Sequence, residues 1–228
     1  MKNGLLTAIE RIPPEFFKQY GGGWPDESSV ALVDAVFSMN AKYETTHNKG
    51  VLDKVKQLRT DLDAPEGWRN SLSTLAAVDP ETLISIMGGS MAAPNSKRAH
   101  TKAAAVTLAA AAMHSATGVD SASDIMLFVE ADRQRNGKKL KKAYTSVLGL
   151  GPVTFEYFLM LLGVPGVKAD RMILRFVSRA VGEPLDEPEV LQLVKDAHTE
   201  LLAREIVDCS LIEFEHAIWR FERQQTRR

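Results

Sequence analysis

The sequence has almost no cysteine: Cys209 is the single one among 228 residues. One thiol cannot form a disulfide within the chain, and it cannot supply an all-cysteine zinc site or an iron–sulfur cluster. The five histidines show neither an H-E-x-x-H motif nor a Cys/His ligand spacing. We therefore expect no metal and no other cofactor.

Long hydrophobic runs are also missing. No stretch approaches the roughly 20 continuous apolar residues that a membrane-spanning helix needs. The N-terminal residues MKNGLLTAIERIPPEFF include no apolar signal region and no small-residue cleavage site. The composition, with 45% hydrophobic and 25% charged residues, is typical of a globular protein. These features predict a soluble cytoplasmic protein that does not contact a membrane.

The net charge of −1 conceals an uneven distribution along the chain. Residues 1–182 contain 22 Lys and Arg against 18 Asp and Glu, whereas residues 183–228 contain 6 against 11. Six of the positive residues fall in the segment 133–142 (RQRNGKKLKK), which has no acid. Such a run is typical either of a solvated surface or of a patch that faces phosphates.

Apolar residues recur at helical spacing through nearly the whole chain. For example, Val30, Val33 and Phe37 lie at i, i+3 and i+7 after a predicted cap at Ser28 or Ser29. We find no sustained two-residue alternation of the kind that indicates a β-strand. The pattern predicts an all-α fold of about ten to twelve helices joined by short Gly/Pro loops.

The segment 148–152 (LGLGP) separates two of the predicted helices. Its glycines permit a tight turn, and proline suits the first turn of the next helix. The amides of Gly151, Val153 and Thr154 are then expected to point outward, where they could bind a phosphate oxygen. Many turns between helices contain two glycines, so turn chemistry alone also explains the pattern.

This segment resembles the hairpin of the helix-hairpin-helix (HhH-GPD) DNA glycosylases, the superfamily that includes endonuclease III and the adenine and alkylbase glycosylases. The family pattern is Leu-x-Gly-hydrophobic-Gly-x-x-Thr. Gly149, Leu150, Gly151 and Thr154 match it, while Leu148 lies one residue closer to the first glycine than usual.

Three further matches follow in the family order. Asp170 matches the Asp that opens a helix after a loop of about a dozen residues, and Arg175 and Arg179 stand five and nine positions beyond it. The run 95–99 (NSKRA) resembles a family stretch that opens a long helix. The run 37–41 (FSMNA) resembles the family's L-S-x-Q-A helix, with asparagine in place of the usual glutamine.

The resemblance implies two helical lobes with a helix-hairpin-helix motif and an active-site cleft between them. Residues 28–150 are expected to form a six-helix, barrel-like lobe that ends in the hairpin. Residues 1–27 and 165–228 are expected to form the second lobe, with Asp170 at the mouth of the cleft.

Two departures from the family narrow the expected activity. Val153 stands where bifunctional members have a nucleophilic lysine, and the four spaced cysteines of the cluster-binding members are missing. The resemblance therefore implies a monofunctional DNA glycosylase of base-excision repair, without AP-lyase activity. It would act as a monomer on double-stranded DNA. A non-catalytic helix-hairpin-helix DNA-binding protein and an unrelated helical interaction module remain open alternatives.

The expected chemistry centres on Asp170. Breaking an N-glycosidic bond develops positive charge on the sugar, and a carboxylate beside C1′ stabilises that charge and can orient or deprotonate a water. At a helix N-cap, backbone amides and the helix dipole should keep Asp170 ionised, which suits an electrostatic stabiliser better than a strong base. An Asp before an apolar helical run is also typical of a plain cap.

The remaining candidate residues are assigned to DNA and base contacts. A base must leave the duplex to reach a carboxylate, so the site needs a pocket. Asn40, Tyr43 and Glu44 would line that pocket if the helix beginning near Ser28 extends that far; a helix that frays earlier would leave them on the surface. Trp24 could stack on a base or pack in the core, and Trp68 and Trp219 are interpreted as packing residues. The residues assigned to DNA phosphates are Gly149, Gly151, Val153, Thr154, Lys97, Lys139 and Lys142.

Overall fold

The computed structural model describes residues 2–17, 22–43 and 50–225, and most of these residues are helical. Within those ranges there are twelve α-helices and no β-strand, and Met91 and Thr101 form one isolated antiparallel bridge. The predicted all-α class is therefore confirmed. In the part of the chain so described, no helix is long and apolar enough to cross a membrane.

The chain divides into two compact units, each with its own hydrophobic core. The central unit comprises residues 23–164, and the terminal unit comprises residues 1–22 and 165–228. The central unit thus extends beyond the 28–150 expected from the sequence at both ends. The reason is a contact between those two extensions. The backbone N–H of Trp24 donates to the Leu161 carbonyl at 2.6 Å, and the Trp24 side chain is buried in the central core.

Eight α-helices of the described residues belong to the central unit, together with a 3-10 helix at Trp68–Asn70. Seven of the eight lie within residues 28–150, where the resemblance implies six; one of them is only five residues long. In chain order they are α2 (Ser28–Phe37), α3 (Val51–Asp61), α4 (Leu72–Ala76), α5 (Pro80–Met87), α6 (Lys102–Thr117), α7 (Ala122–Ala131), α8 (Arg135–Thr145) and α9 (Pro152–Leu161). The first helix of the chain, α1 (Lys2–Glu10), belongs to the terminal unit.

Helix α2 lies at the middle of the central unit, with all ten of its residues buried. It packs against α3, α6 and α9. Neither Ser28 nor Ser29 caps it, because their hydroxyls donate to the carbonyls of Asp120 (2.9 Å) and Ser71 (2.8 Å). The helix therefore begins at Ser28, with Glu27 at the N-cap position.

The Ala-rich helix α6 begins later than its sequence suggests. Thr101 is its N-cap, since its hydroxyl accepts a hydrogen bond from the Ala104 N–H at 3.1 Å. The run 95–99 lies in the preceding loop, which corrects the expectation that this run opens a long helix. Small side chains let α6 pack closely on α4 and α8.

The terminal unit contains α1 (Lys2–Glu10), a 3-10 helix at Pro14–Phe17, α10 (Arg171–Val181), α11 (Glu187–Ala203) and α12 (Leu211–Gln225). Helix α10 begins after its cap Asp170 and ends before Gly182, whose φ of +91° is the left-handed conformation that favours glycine. The start of the helix at Asp170 agrees with the sequence prediction. Helix α10 packs against α1, α11 and α12, which places Asp170 beside α12.

Candidate functional site

Asp170 lies at the N-terminus of α10, and both of its carboxylate oxygens accept hydrogen bonds. Oδ1 accepts from the backbone N–H groups of Met172 (2.8 Å) and Ile173 (3.2 Å). Oδ2 accepts from the indole Nε1 of Trp219 at 2.9 Å. Three N–H donors complement a negative charge, and the side chain remains partly exposed to solvent. This carboxylate can therefore serve as a fixed negative charge at the surface of the terminal unit.

Two side chains of α12 pack against the Trp219 ring. His216 stacks on it with centroids 5.9 Å apart and planes inclined by 12°, and the Arg223 guanidinium lies 4.9 Å from the ring centroid. Burial, together with the charges of Arg220 and Arg223, lowers the pKa of His216 to about 4, so this imidazole is neutral at neutral pH. The interpretation of Trp219 as a packing residue is confirmed, since its ring packs against the core of the terminal unit, and its N–H also donates to Asp170.

Glu215 lies one helical turn before Trp219 and is 4% exposed. Burial and the nearby charge of Asp170 raise the pKa of Glu215 to about 8, although the ammonium group and the backbone of Lys168 act in the opposite direction. Glu215 is thus predominantly protonated at neutral pH, and Asp170 is the carboxylate that faces solvent.

Two arginines follow Asp170 along α10, and both bind one buried glutamate. Glu222, which is 1% exposed, accepts from Arg175 Nε at 2.6 Å and from both terminal nitrogens of Arg179 at 2.9 and 2.6 Å. Burial acts to raise the pKa of Glu222, but the hydrogen bonds from Arg179 and Arg175 outweigh it, so the pKa lies below its ordinary value. The charge that these arginines could offer to DNA is therefore partly neutralised.

Gly149 is the residue that shapes the turn between α8 and α9. Its φ is +97°, and a Cβ built on it would lie 2.8 Å from the Ala92 carbonyl carbon. This close contact places the loop at residues 88–101 against the turn. Only glycine combines this φ with this approach at low cost. The turn thus positions two segments of the central unit side by side.

The amide of Gly151 is not available to a phosphate. It donates to the Thr154 hydroxyl at 3.2 Å, and that hydroxyl donates back to the Gly151 carbonyl at 2.9 Å. The expectation that the amides of Gly151, Val153 and Thr154 all point outward is therefore corrected for Gly151. The amides of Val153 and Thr154 lie in the first turn of α9, where a helix provides no carbonyl acceptor. These two N–H groups can bind an anion.

The three lysines assigned to phosphates are all exposed in the central unit. Lys139 and Lys142 lie on α8, which leads into the turn, and Lys97 lies in the loop that contacts it. Lys141 differs from them, because it binds Glu156 at 3.3 Å. Positive charge therefore flanks the turn on two segments.

Two exposed apolar side chains stand beside the contact between Gly149 and Ala92. Met91 is 39% exposed and Leu148 is 44% exposed. Each immediately precedes one of the two contacting residues in the chain. The sequence does not indicate that either side chain is exposed, since a single exposed apolar residue carries no periodic signal.

The predicted base pocket does not form as a continuation of α2. The helix ends at Phe37, and Asn40 adopts a left-handed φ of +50° on the surface. Lys102 stabilises this end, because its ammonium group donates to the carbonyls of Phe37 (3.1 Å) and Met39 (2.5 Å). Burial lowers the pKa of Lys102. Glu44 lies outside the described residues.

Tyr43 contacts the central core through Asp34. The buried Asp34 carboxylate accepts from the Tyr43 hydroxyl (2.9 Å), the Trp24 indole N–H (2.8 Å) and the Ser38 hydroxyl (2.9 Å). The interpretation of Trp24 as a core residue is confirmed. Tyr43 belongs to this buried polar cluster, so the helical arrangement that would make it a base contact is not present.

The acids on α12 gave a sequence signal that was overlooked. Glu215 and Glu222 are seven residues apart and adjoin the apolar stripe of Phe214, Ile218 and Phe221. An acid at a core-facing position needs a partner, so this spacing indicates a buried polar contact. In residues 2–17, 22–43 and 50–225, no group of three or more His, Cys, Asp or Glu side chains could hold a metal ion.

Comparisons with known proteins gave one match. A family model described as "Domain of unknown function (DUF8548)" matches residues 9–223. No curated protein and no solved structure matches the chain.

Proposed function

The chain belongs to the DUF8548 family, a domain of unknown function, and we propose that it is a monofunctional DNA glycosylase. Its substrate is double-stranded DNA that contains a damaged or modified base. The observation that carries the proposal is the Asp170 carboxylate, fixed by two backbone amides and the Trp219 indole at the start of α10. The resemblance of residues 148–154 and Asp170 to the glycosylase family supports it.

The proposed reaction is hydrolysis of the bond between C1′ and the base nitrogen. The electron pair of the broken bond leaves with the base; water adds to C1′ and loses a proton, and the base takes up a proton, which leaves an abasic site. Positive charge develops on the sugar as the bond breaks. The negative charge of Asp170 stabilises it, and because hydrogen bonds fix the carboxylate, little reorganisation is needed.

DNA binding is assigned to the turn of the central unit. The N–H groups of Val153 and Thr154 would donate hydrogen bonds to one phosphate group, and Lys97, Lys139 and Lys142 would contact neighbouring phosphates. Contacts of this kind make affinity fall steeply as salt concentration rises. The exposed side chains of Met91 and Leu148 are candidates to insert between base steps, as apolar wedges of other proteins do.

Covalent catalysis by a lysine is not part of the proposal. Val153 occupies the position at which bifunctional family members have their nucleophile, and Lys102 is buried and holds the end of α2. We expect that borohydride will trap no protein–DNA adduct during turnover. A strong trapped band would contradict the monofunctional assignment.

The proposal is tested by measuring base release. The purified protein is incubated with duplexes that carry uracil, alkylated, oxidised or hypermodified bases, and abasic sites are then cleaved with alkali. We expect strand cleavage on one duplex and its loss in Asp170→Asn, which keeps the cap but removes the charge. Asp186→Asn is the matched control, because Asp186 caps α11 in the same unit through the Glu189 N–H.

The alternative function gives a different outcome in this experiment. A non-catalytic DNA-binding protein would release no base from any duplex, yet its DNA binding would remain sensitive to salt. An unrelated interaction module would bind DNA with no salt dependence of this kind.

A further inference from the structure

Helix α8 presents four cations on one exposed face, which we call the α8 basic face. They are Arg135, Lys138, Lys139 and Lys142. At about 100° of rotation per residue, all four lie within an arc of about 100° around the helix axis. Leu140 and Tyr144 lie on the other side of the helix and are buried in the core of the central unit. The basic face is therefore the side of α8 that points away from the core.

No ion pair neutralises the α8 basic face within residues 2–17, 22–43 and 50–225. The neighbouring Lys141 differs, because it lies outside this arc and binds Glu156 at 3.3 Å. Asp132, the acid that precedes the helix, accepts the backbone N–H of Arg135 at 2.9 Å. The four side-chain charges of the face are thus directed to solvent.

The α8 basic face works against the stability of its own helix. Arg135 and Lys139 are four residues apart, as are Lys138 and Lys142, and like charges at this spacing repel each other. Arg135 also lies in the first turn, which contains no acid, although the positive end of the helix dipole favours acids there. Folding does not explain an exposed face that lowers stability, so the face indicates a binding role.

The α8 basic face leads to the turn whose amides can bind a phosphate. Lys142 lies in the last turn of α8, and the N–H groups of Val153 and Thr154 follow at the start of α9. Arg135 and Lys142 are seven residues apart, which is about 10 Å along the helix axis. Each strand of B-DNA carries about three phosphates over such a length. The phosphate backbone is therefore a ligand that matches a row of cations beside this turn.

We propose that the α8 basic face binds the backbone of double-stranded DNA beyond the phosphate at the turn. Arg135 and Lys138 then contact phosphates as Lys139 and Lys142 do, and the DNA-binding surface extends over the whole length of α8. The inference rests on the proposed function for the identity of its ligand. It does not depend on base release at Asp170.

The double variant Arg135→Gln with Lys138→Gln tests this surface. Binding of a labelled duplex without a damaged base is measured by fluorescence anisotropy at several salt concentrations. We expect the slope of log K against log salt to fall by about 2. A rise in salt of about fourfold should then weaken wild-type binding about sixteenfold more than it weakens binding by the variant. A slope equal to that of wild type overturns the proposal.

Two control variants separate this surface from net charge and from side-chain shape. Arg11→Gln with Lys56→Gln removes the same charge from exposed residues outside α8, and it should keep the wild-type slope. Arg135→Lys with Lys138→Arg exchanges the two side chains and keeps both charges, so it should also keep that slope. A loss in either control as large as in the Gln variant overturns the proposal.

The stability of the Gln variant is the second readout. Because the substitutions relieve repulsion within α8, we expect a urea midpoint equal to or above that of wild type. A lower midpoint would show that the cations stabilise the helix, and it would overturn the argument for a binding role.

Base release from the duplex panel distinguishes this inference from the proposed function. If wild type cleaves no duplex and the salt slope still falls in the Gln variant, the glycosylase assignment fails and the inference stands. If wild type cleaves a duplex and the slope does not fall, only the inference fails. A wild type that binds no duplex overturns both.

Discussion

Gly149 and Ala92 lie so close that a Cβ on Gly149 would meet the Ala92 carbonyl carbon at 2.8 Å. The φ of Gly149 is +97°, which also disfavours any other residue. We predict that Gly149→Ala destabilises the protein by about 2–4 kcal/mol, since strain and a backbone clash add together. Urea denaturation followed by circular dichroism measures this. A loss below about 0.5 kcal/mol would show that the loop at 88–101 does not hold the turn.

Gly151 offers the contrasting substitution in the same turn. Its φ of −120° suits any residue, and a Cβ there would meet nothing within 4 Å. We predict that Gly151→Ala changes stability by no more than about 1 kcal/mol. The added methyl group should still weaken DNA binding by about fivefold to tenfold, because it stands where a phosphate would approach the Val153 and Thr154 amides.

Fluorescence anisotropy with a labelled duplex at one fixed salt concentration measures this effect. Wild-type affinity in Gly151→Ala would show that the turn does not contact phosphate.

The lysines beside the turn should determine the salt dependence of DNA binding. We predict that the double variant Lys139→Gln and Lys142→Gln reduces the slope of log K against log salt by about 2, roughly one unit for each lost phosphate contact. Lys56→Gln is the matched control, because Lys56 is exposed on α3 in the same unit. An equal slope in the double variant and in wild type would place the DNA-binding surface elsewhere.

The helices could be predicted from the sequence because each depends on local spacing and local caps. The stripe of Ile173, Phe176 and Val177, with Asp170 before it and Gly182 after it, determines α10 without reference to any other segment. The end of α2 was not predictable in this way. It depends on Lys102, which lies 65 residues away from Phe37 and binds its carbonyl.

The residues of the candidate site also divide into those that a local motif marks and those that depend on a distant contact. Asp170 was found because a local motif marks it, whereas Trp219 donates to it across 49 residues of sequence. Spacing within one helix gives no information about the partner that a side chain meets in another helix. The acids Glu215 and Glu222 gave only a partial signal: their place on an apolar face indicated that they are buried, but not what they bind.

The stabilisation of the terminal unit by Glu222 should depend on pH. Its pKa in the folded protein lies below the ordinary value of 4.5, so its stabilising effect is present above about pH 4.5 and is lost as the pH falls through the folded value. We predict that Glu222→Gln lowers the free energy of unfolding at pH 7 by about 1–3 kcal/mol, because Arg175 and Arg179 lose their anionic partner.

Urea titrations at several pH values between about 3 and 7 measure this effect. The variant should lose less stability than the wild type on acidification. Parallel curves for the two proteins would contradict the assignment of Glu222 as the acid-sensitive group.

Ionisation of Glu215 should make stability depend on pH with the opposite sign. Burial beside Asp170 raises its folded pKa from 4.5 to about 8, so the folded state holds a proton that the unfolded state releases. The free energy of unfolding therefore falls as the pH rises from about 4.5 to 8 and shows no further change from this group above that range.

Glu215→Gln cannot ionise, so its free energy of unfolding does not fall in this way. We predict that it matches the wild type near pH 4 and exceeds it by about 1–3 kcal/mol near pH 8. Glu183→Gln, an exposed glutamate of the same unit, should show no such divergence. If the difference in free energy of unfolding between Glu215→Gln and wild type did not grow with pH, Glu215 would be ionised in the folded protein. Two negative charges, and not one, would then lie at the Asp170 site.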